Sequence, residues 1–263
     1  MKNLLILYPH GLGDCILLTP VLRNYFFNTG QKAAVAVLER FRTARIFDNN
    51  PYVSEIVYTK DAWNDFDNPQ LGFQTVFETC AKWCEENNYE MVMPKHDNWN
   101  HSKILINFKY CGVEPTSVFT EVFTTDEDKR KAKEFVTNQF GKEPYGFVQT
   151  TTGRPLANLP ENYGKIWLAK NRNLSNIIEV GKDYETTQFN INTQIEILRG
   201  ATAVCLPDSV FFNACGALGK PVDHVYVAPT WGPRGYKRVK PLHSVKQNVV
   251  FELDSEILKT LGL

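Results

Sequence analysis

Apolar positions along this chain come in two alternating rhythms. Short, unbroken apolar runs rich in β-branched residues read as buried strands. Stretches in which apolar residues return every three or four positions read as helices laid over them. Leu4 to Tyr8 is a run of the first kind, and Ile16, Leu17, Val21, Leu22 and Tyr25 then mark a helix. The alternation continues with strands at Ala33 to Leu38, Ser54 to Thr59 and Tyr89 to Met93, interleaved with helices at Phe41 to Phe47, Phe73 to Cys84 and Ser102 to Tyr110. Val118 to Phe123 reads as the last strand of this series.

A charged helix, Asp126 to Phe140, follows, with acids in its first turn and bases in its middle, as the helix dipole favours. GKEPYG breaks it, and a second series begins: strand Tyr145 to Thr150, helix Glu161 to Lys170, strand Asn176 to Val180, helix Thr193 to Leu198 and strand Ala201 to Leu206. Phe211, Phe212, Cys215 and Leu218 then recur at helical spacing until Gly219 and Pro221 stop the pattern; strands Val222 to Val227 and Asn248 to Phe251 and helix Ser255 to Leu261 complete the chain. No tandem repeat is visible. Two consecutive strand-helix series joined by a short hinge predict an α/β chain of two Rossmann-like domains, 1–140 and 141–263.

Composition narrows the function classes. A length of 263 residues is enough for two small domains, each with its own core. The 29 basic and 29 acidic side chains balance, so no global field recruits nucleic acid or an acidic membrane. The six cysteines have no C-x-x-C spacing and read as reduced, structural residues. With no charged-then-apolar leader and no apolar run of membrane-span length, the expected location is cytoplasmic, with peripheral contact at the inner face of a membrane left open.

Chemistry concentrates where strands turn into helices. After the first strand comes PHGLGD, where Gly11 and Gly13 are expected to let the backbone turn tightly. The pattern lacks the third glycine of a dinucleotide fingerprint and the Gly-Lys-Ser/Thr of a P-loop. Asp14 here is either a helix cap or a carboxylate facing a crevice, able to take a proton from an attacking hydroxyl. In the second series Asp208 and Ser209 stand at a strand's C-terminal end, where helix N–H groups open and favour a phosphate; the alternative is that Asp208 only caps the helix. Thr150, Thr151, Thr152 and Gly153 offer hydroxyls and amides after another strand, and Arg154 brings a charge that can clamp a diphosphate.

Two segments resemble glycosyltransferase family 9, the heptosyltransferases. GDCILLTPVLRNY is similar to the family's opening segment, matching at Gly13, Asp14, Thr19, Pro20 and Arg23. DSVFFNACGALGKP is similar to its donor-site segment, matching at Asp208, Ser209, Ala217, Leu218, Gly219, Lys220 and Pro221. Val210 stands where the family has Gly, Asn213 where it has His, and Asn158 and Leu159 where it carries a basic residue before Trp-Pro. The chain is also shorter than usual members between Asn171 and Thr193, where base and ribose contacts often sit.

The resemblance implies a GT-B architecture, two Rossmann-like domains facing a cleft, and inverting, metal-independent sugar transfer from a nucleotide-diphosphate donor to a hydroxyl acceptor such as a glycan or lipid-linked saccharide. By resemblance Asp14 is the catalytic base. Gly11, Gly13, Thr150, Thr151, Thr152, Arg154, Asp208, Ser209 and Asn213 are assigned to the donor, and His10, His96 and Trp99 to the acceptor. No cofactor, metal or stable protein partner is expected; the nucleotide sugar is a co-substrate. The basic run from Pro229 to Lys246, its Arg234, Lys237, Arg238, Lys240 and Lys246 interleaved with Trp231 and Tyr236, reads as a solvated loop or as a site for a diphosphate, a phosphorylated acceptor or a nucleic-acid backbone. Alternatives are a non-catalytic sugar-nucleotide-binding module, a sugar-nucleotide epimerase or hydrolase, and a glycosyltransferase acting on a modified nucleic-acid base.

Overall fold

The structure, a computed structural model, describes residues 3–59, 69–95, 102–152, 158–181, 185–228 and 247–263. The chain divides into two compact units, Met1–Phe123 and Thr124–Leu263. In the first unit, β1 (Asn3–Leu7), β2 (Ala33–Leu38), β3 (Val53–Thr59) and β4 (Tyr89–Val92) form a parallel sheet in the order β3-β2-β1-β4. All six residues of β2 are buried, as a central parallel strand covered on both faces requires. Leu5, Leu7, Ala34 and Ala36 pack against Val76, Cys80 and Cys84 of α2 (Pro69–Asn87). Helix α1 (Leu12–Thr29) packs against β2 and against α3 (Lys103–Cys111).

Pro20 lies inside α1, and a proline there removes the N–H owed to the carbonyl four residues back. The Thr19 hydroxyl replaces it, donating to the Ile16 carbonyl at 2.8 Å while accepting from the Glu121 N–H at 2.8 Å. Asn24 accepts from the N–H groups of Thr116 and Ser117, and Arg23 pairs with Glu121 at 2.9 Å. The expected strand Val118 to Phe123 is therefore absent: the 116–121 backbone is held by α1 side chains instead of a sheet ladder. Thr19, Pro20 and Arg23 act in this tether.

The second unit opens with α4 (Asp126–Phe140), one helix earlier than the boundary expected near Gly141. The physical reason is Asp128, whose Oδ1 accepts from Thr193 at 2.9 Å and Asn190 at 3.2 Å, binding α4 to the start of α6 (Ile191–Gly200). Strands β5 (Gly146–Gln149), β6 (Ile177–Val180), β7 (Ala203–Pro207), β8 (Val222–Tyr226) and β9 (Gln247–Val250) form a parallel sheet ordered β6-β5-β7-β8-β9. Helices α5 (Tyr163–Arg172), α7 (Val210–Ala217) and α8 (Ser255–Thr260) complete the unit. Helix α5 sits so close to β5 that a Cβ on Gly164 would lie 2.4 Å from Val148.

His224 of β8 is buried with its ring 4.8 Å from Trp167 and 5.6 Å from Tyr163, and its Nε2 has no hydrogen-bond partner among the described residues. Burial lowers its titration from 6.5 to about 4, only partly offset by the Asp254 charge. A base whose folded value is depressed binds fewer protons than the unfolded chain between the two values. Its contribution is complete above about pH 6.5 and is lost as pH falls toward about 4. The expected loss is about 3 kcal/mol. Denaturant unfolding between pH 7 and pH 4.5 should show this slope in the wild type and a smaller one in His224→Leu; equal slopes would refute the assignment.

Candidate functional site

In an open parallel sheet, a crevice forms at the C-terminal ends of the strands where successive connections leave in opposite directions. The order β3-β2-β1-β4 puts that point in the first unit between β1 and β4; the order β6-β5-β7-β8-β9 puts it in the second between β5 and β7. These are the strands whose following turns carry Asp14, Thr150 to Thr152, and Asp208 with Ser209.

At the first point, His10 Nε2 lies 3.2 Å from the Pro94 carbonyl, joining the turns after β1 and β4. A carbonyl only accepts, so Nε2 carries the proton of this bond. The imidazole meets Tyr8 edge-on, with centroids 4.7 Å apart. Tyr8 is fully buried, and Asn107 donates to its hydroxyl at 3.0 Å. Burial, and after it the charge of Asp14, pushes the Tyr8 phenol well up. The same causes push up the Cys15 thiol. All six cysteines are free, and five are buried.

Gly11 is the N-cap of α1, with φ −66° and ψ 161°, a backbone open to any residue, and Gly13 lies within the helix; neither has positive φ. The expectation that these glycines make a tight turn is thus corrected. What Gly11 provides is space: a Cβ there would stand 3.8 Å from Asp14 Oδ2.

The cap of α4 gives a comparison for Asp14 within the chain. In α4, Thr125 and Asp128 form a capping box: the Thr125 hydroxyl accepts from the Asp128 N–H at 3.0 Å, and Asp128 Oδ2 accepts from the Thr125 N–H at 2.9 Å. Gly11 and Asp14 have the same spacing, but the cap position has no side chain, and α1 has no side-chain cap bond. Asp14 Oδ1 accepts from the Lys103 ammonium at 2.5 Å. Asp14 is 9% exposed and Lys103 5%. The sequence pattern does not single out Lys103; the signal it carries is a lysine at the start of a helix, where the dipole disfavours a cation.

At the second point, the Thr150 hydroxyl donates to Glu179 of β6, whose other oxygen lies 2.7 Å from the Lys165 ammonium. Thr150 is 4% exposed, and the one proton of its hydroxyl is committed to this contact. Asn158 Oδ1 accepts from the Thr152 N–H at 2.6 Å and from the Thr152 hydroxyl at 3.2 Å, and Gln149 donates to the Thr151 carbonyl at 2.8 Å. Asn158, which stands where the family pattern has a basic residue, thus bonds back to Thr152.

Ser209 caps α7, accepting from the Phe211 N–H at 3.2 Å. The cap is Ser209, so Asp208 is not needed for it; the Asp208 N–H donates to the Tyr226 carbonyl at 2.9 Å. Val210 has no positive φ, so the missing family glycine leaves the backbone unstrained and removes only open space. Asn213 is buried, and its Oδ1 has no hydrogen-bond partner among the described residues. Gly219 takes φ +64°, and Lys220 donates to the Ala201 carbonyl at 2.5 Å, at the C-terminal end of α6; this tail of the donor-like segment builds the fold.

His96, Trp99, Gly153, Arg154 and the basic run from Pro229 to Lys246 lie outside the described residues. Among the described residues, concavities open elsewhere, one of about 520 Å³ beside β3, lined by Arg42, Arg45 and Tyr58, and one of about 720 Å³ at the N-terminal ends of β7, β8 and β9. Neither is at a switch point, so neither is taken as the site. Among the described residues no three His, Cys, Asp or Glu side chains group as a metal site, and no helix is long and apolar enough to cross a membrane.

No family model and no curated protein matches the sequence. Solved structures do match. A glycosyl transferase family 9 protein of Veillonella parvula aligns with TM-score 0.71 at 13% identity, over 99% of this chain and 89% of that one. The ADP-heptose LPS heptosyltransferase II of E. coli aligns with TM-score 0.63 at 12% identity, over 94% of this chain and 90% of that one. The E. coli heptosyltransferase WaaC, solved with ADP, aligns with TM-score 0.59 at 15% identity, over 98% of each chain. The chain has a family 9 heptosyltransferase-like fold of the GT-B class.

Proposed function

We propose that this protein is a glycosyltransferase that moves a sugar from a nucleoside-diphosphate donor to a hydroxyl acceptor with inversion. The observation that carries the reading is the placement of Asp14 at one switch point and of the Ser209-capped α7 N-terminus at the other, on a fold similar to enzymes of this chemistry. One of those enzymes, WaaC, was solved with ADP and with an ADP-sugar analogue, which supports a nucleoside diphosphate as the group to test first.

Roles divide by charge. The acceptor O–H gives its proton to the Asp14 carboxylate as its oxygen attacks the anomeric carbon, and the bond from that carbon to the diphosphate oxygen breaks. A single displacement inverts the centre, and nucleoside diphosphate leaves. The first-turn N–H groups of α7 suit the diphosphate, with Arg154 as a clamp and no metal required. A carboxylate repels a diphosphate, so Asp208 suits a ribose hydroxyl of the nucleoside diphosphate instead. Asn213 Oδ1, which has no donor among the described residues, suits a hydroxyl of the donor. His10, with His96 and Trp99, is assigned to the acceptor.

The test is acceptor-dependent release of nucleoside diphosphate across a panel of donors. Release without acceptor points to an epimerase or hydrolase, and binding without release to a sugar-nucleotide-binding module. A nucleoside diphosphate should also raise the Tm, by about 2.7 kcal/mol of stabilisation at a hundredfold excess over Kd. Asp208→Ala is expected to abolish most of that rise without the stability loss of a missing cap, because Ser209 remains. An unchanged rise would remove Asp208 from the donor site.

A further inference from the structure

Lys103 is placed against local energetics. It is the first residue of α3, where the helix dipole repels a cation, and it is 5% exposed, where an ammonium loses its hydration. An apolar residue there would avoid both costs, and buried ion pairs are often replaceable by apolar pairs with no loss of stability. Nor does the helix need Lys103 to start, since the Ser102 side chain accepts from the Ile104 N–H at 3.3 Å.

The frame around it is fixed. Asn107, one turn later on the same face of α3, donates to the Leu17 carbonyl of α1 at 3.2 Å and to the Tyr8 hydroxyl at 3.0 Å. The Lys103 ammonium therefore reaches Asp14 from a helix bonded to both elements that carry the turn before Asp14. We propose that Lys103 is the positioning residue of Asp14, its buried ammonium holding the carboxylate in one orientation and in its charged form for the proton it takes. This rests on Asp14 being the base in the reading above. Lys103 itself touches neither donor nor acceptor in this scheme.

Charge and geometry separate in two variants: Lys103→Met keeps the stem and removes the charge, whereas Lys103→Arg keeps the charge. In acceptor-dependent nucleoside-diphosphate release, Lys103→Met is expected to lower kcat tenfold or more, with donor KM within about threefold and the nucleoside-diphosphate Tm rise retained. Without the ammonium the Asp14 carboxylate holds its proton more tightly, so the acid limb of the pH-rate profile moves to higher pH. Among the described residues, the other titratable groups around Asp14 are Tyr8 and Cys15, both kept protonated by burial, and His10 beside Tyr8. His10 is common to wild type and Lys103→Met, so the limb is read as the difference between the two profiles.

Lys103→Arg should recover part of kcat and return the limb toward wild type. Asp14→Asn with Lys103→Met should be no slower than Asp14→Asn alone, because both act through one carboxylate. A folded Lys103→Met protein with wild-type kcat and an unmoved limb overturns the inference and leaves the glycosyltransferase reading standing. A double variant slower than Asp14→Asn also overturns it; should Lys103→Met fail to fold, a folded Lys103→Arg protein with its acid limb moved well above that of wild type does so. A wild type without acceptor-dependent release overturns both.

Discussion

Asp14→Asn is expected to lower kcat by about 10² to 10⁴ while leaving the nucleoside-diphosphate Tm rise in place. Asparagine keeps the shape and an oxygen that accepts from Lys103, and it removes the basicity. It also leaves a buried ammonium without its counter-charge, so some stability is lost, about 3 kcal/mol or less given the retained hydrogen bond. Unfolding curves must therefore accompany the kinetics, and rates belong well below the variant's Tm. A folded Asp14→Asn enzyme turning over within a few-fold of wild type would sink the base assignment. Loss of the nucleotide response instead would put Asp14 in the donor site.

Gly11→Thr is expected to move stability and turnover in opposite directions. The backbone at Gly11 accepts any residue, and the position is exposed, so threonine meets no strain. The introduced threonine would stand three residues before Asp14, the spacing at which Thr125 and Asp128 already form a capping box in α4. The carboxylate, with its Oδ2 3.8 Å from the new Cβ, would be drawn into that box and covered by the added side chain. Helix α1 should gain about 0.5 to 1 kcal/mol. Turnover should fall about tenfold to a hundredfold, since a small misplacement of a reacting group has effects of that order. Unchanged kcat in a protein with raised Tm would mean that Gly11 is not what leaves Asp14 open to an acceptor.

The second unit shows why His224 is best probed by pH and Asp208 by ligand. His224 is walled in by Trp167 and Tyr163, so it answers to protons through global stability. Asp208 sits at the open end of β7, next to a helix already capped by Ser209, so its removal should be felt mainly by what binds there.

The apolar runs by themselves determined that β1, β2 and β7 are strands and that helices follow them, because a run apolar at nearly every position has to be buried on both faces. They also placed Asp14, Thr150 and Asp208 just beyond strand ends, since a strand stops where polar residues begin. Only the tertiary structure decided the rest. Val118 to Phe123 has strand-like residues, yet the N–H groups of this stretch and the turn before it found Asn24 and Thr19 on α1 before any strand. Helix α4 joined the second unit through Asp128, a choice made by Thr193 and Asn190 more than sixty positions away. Strand order, which places both switch points, is set by packing between elements and leaves no mark in the spacing of either series. The Asp14–Lys103 pair joins residues far apart in the chain, and a buried charge is tolerated only when its partner is delivered by the fold.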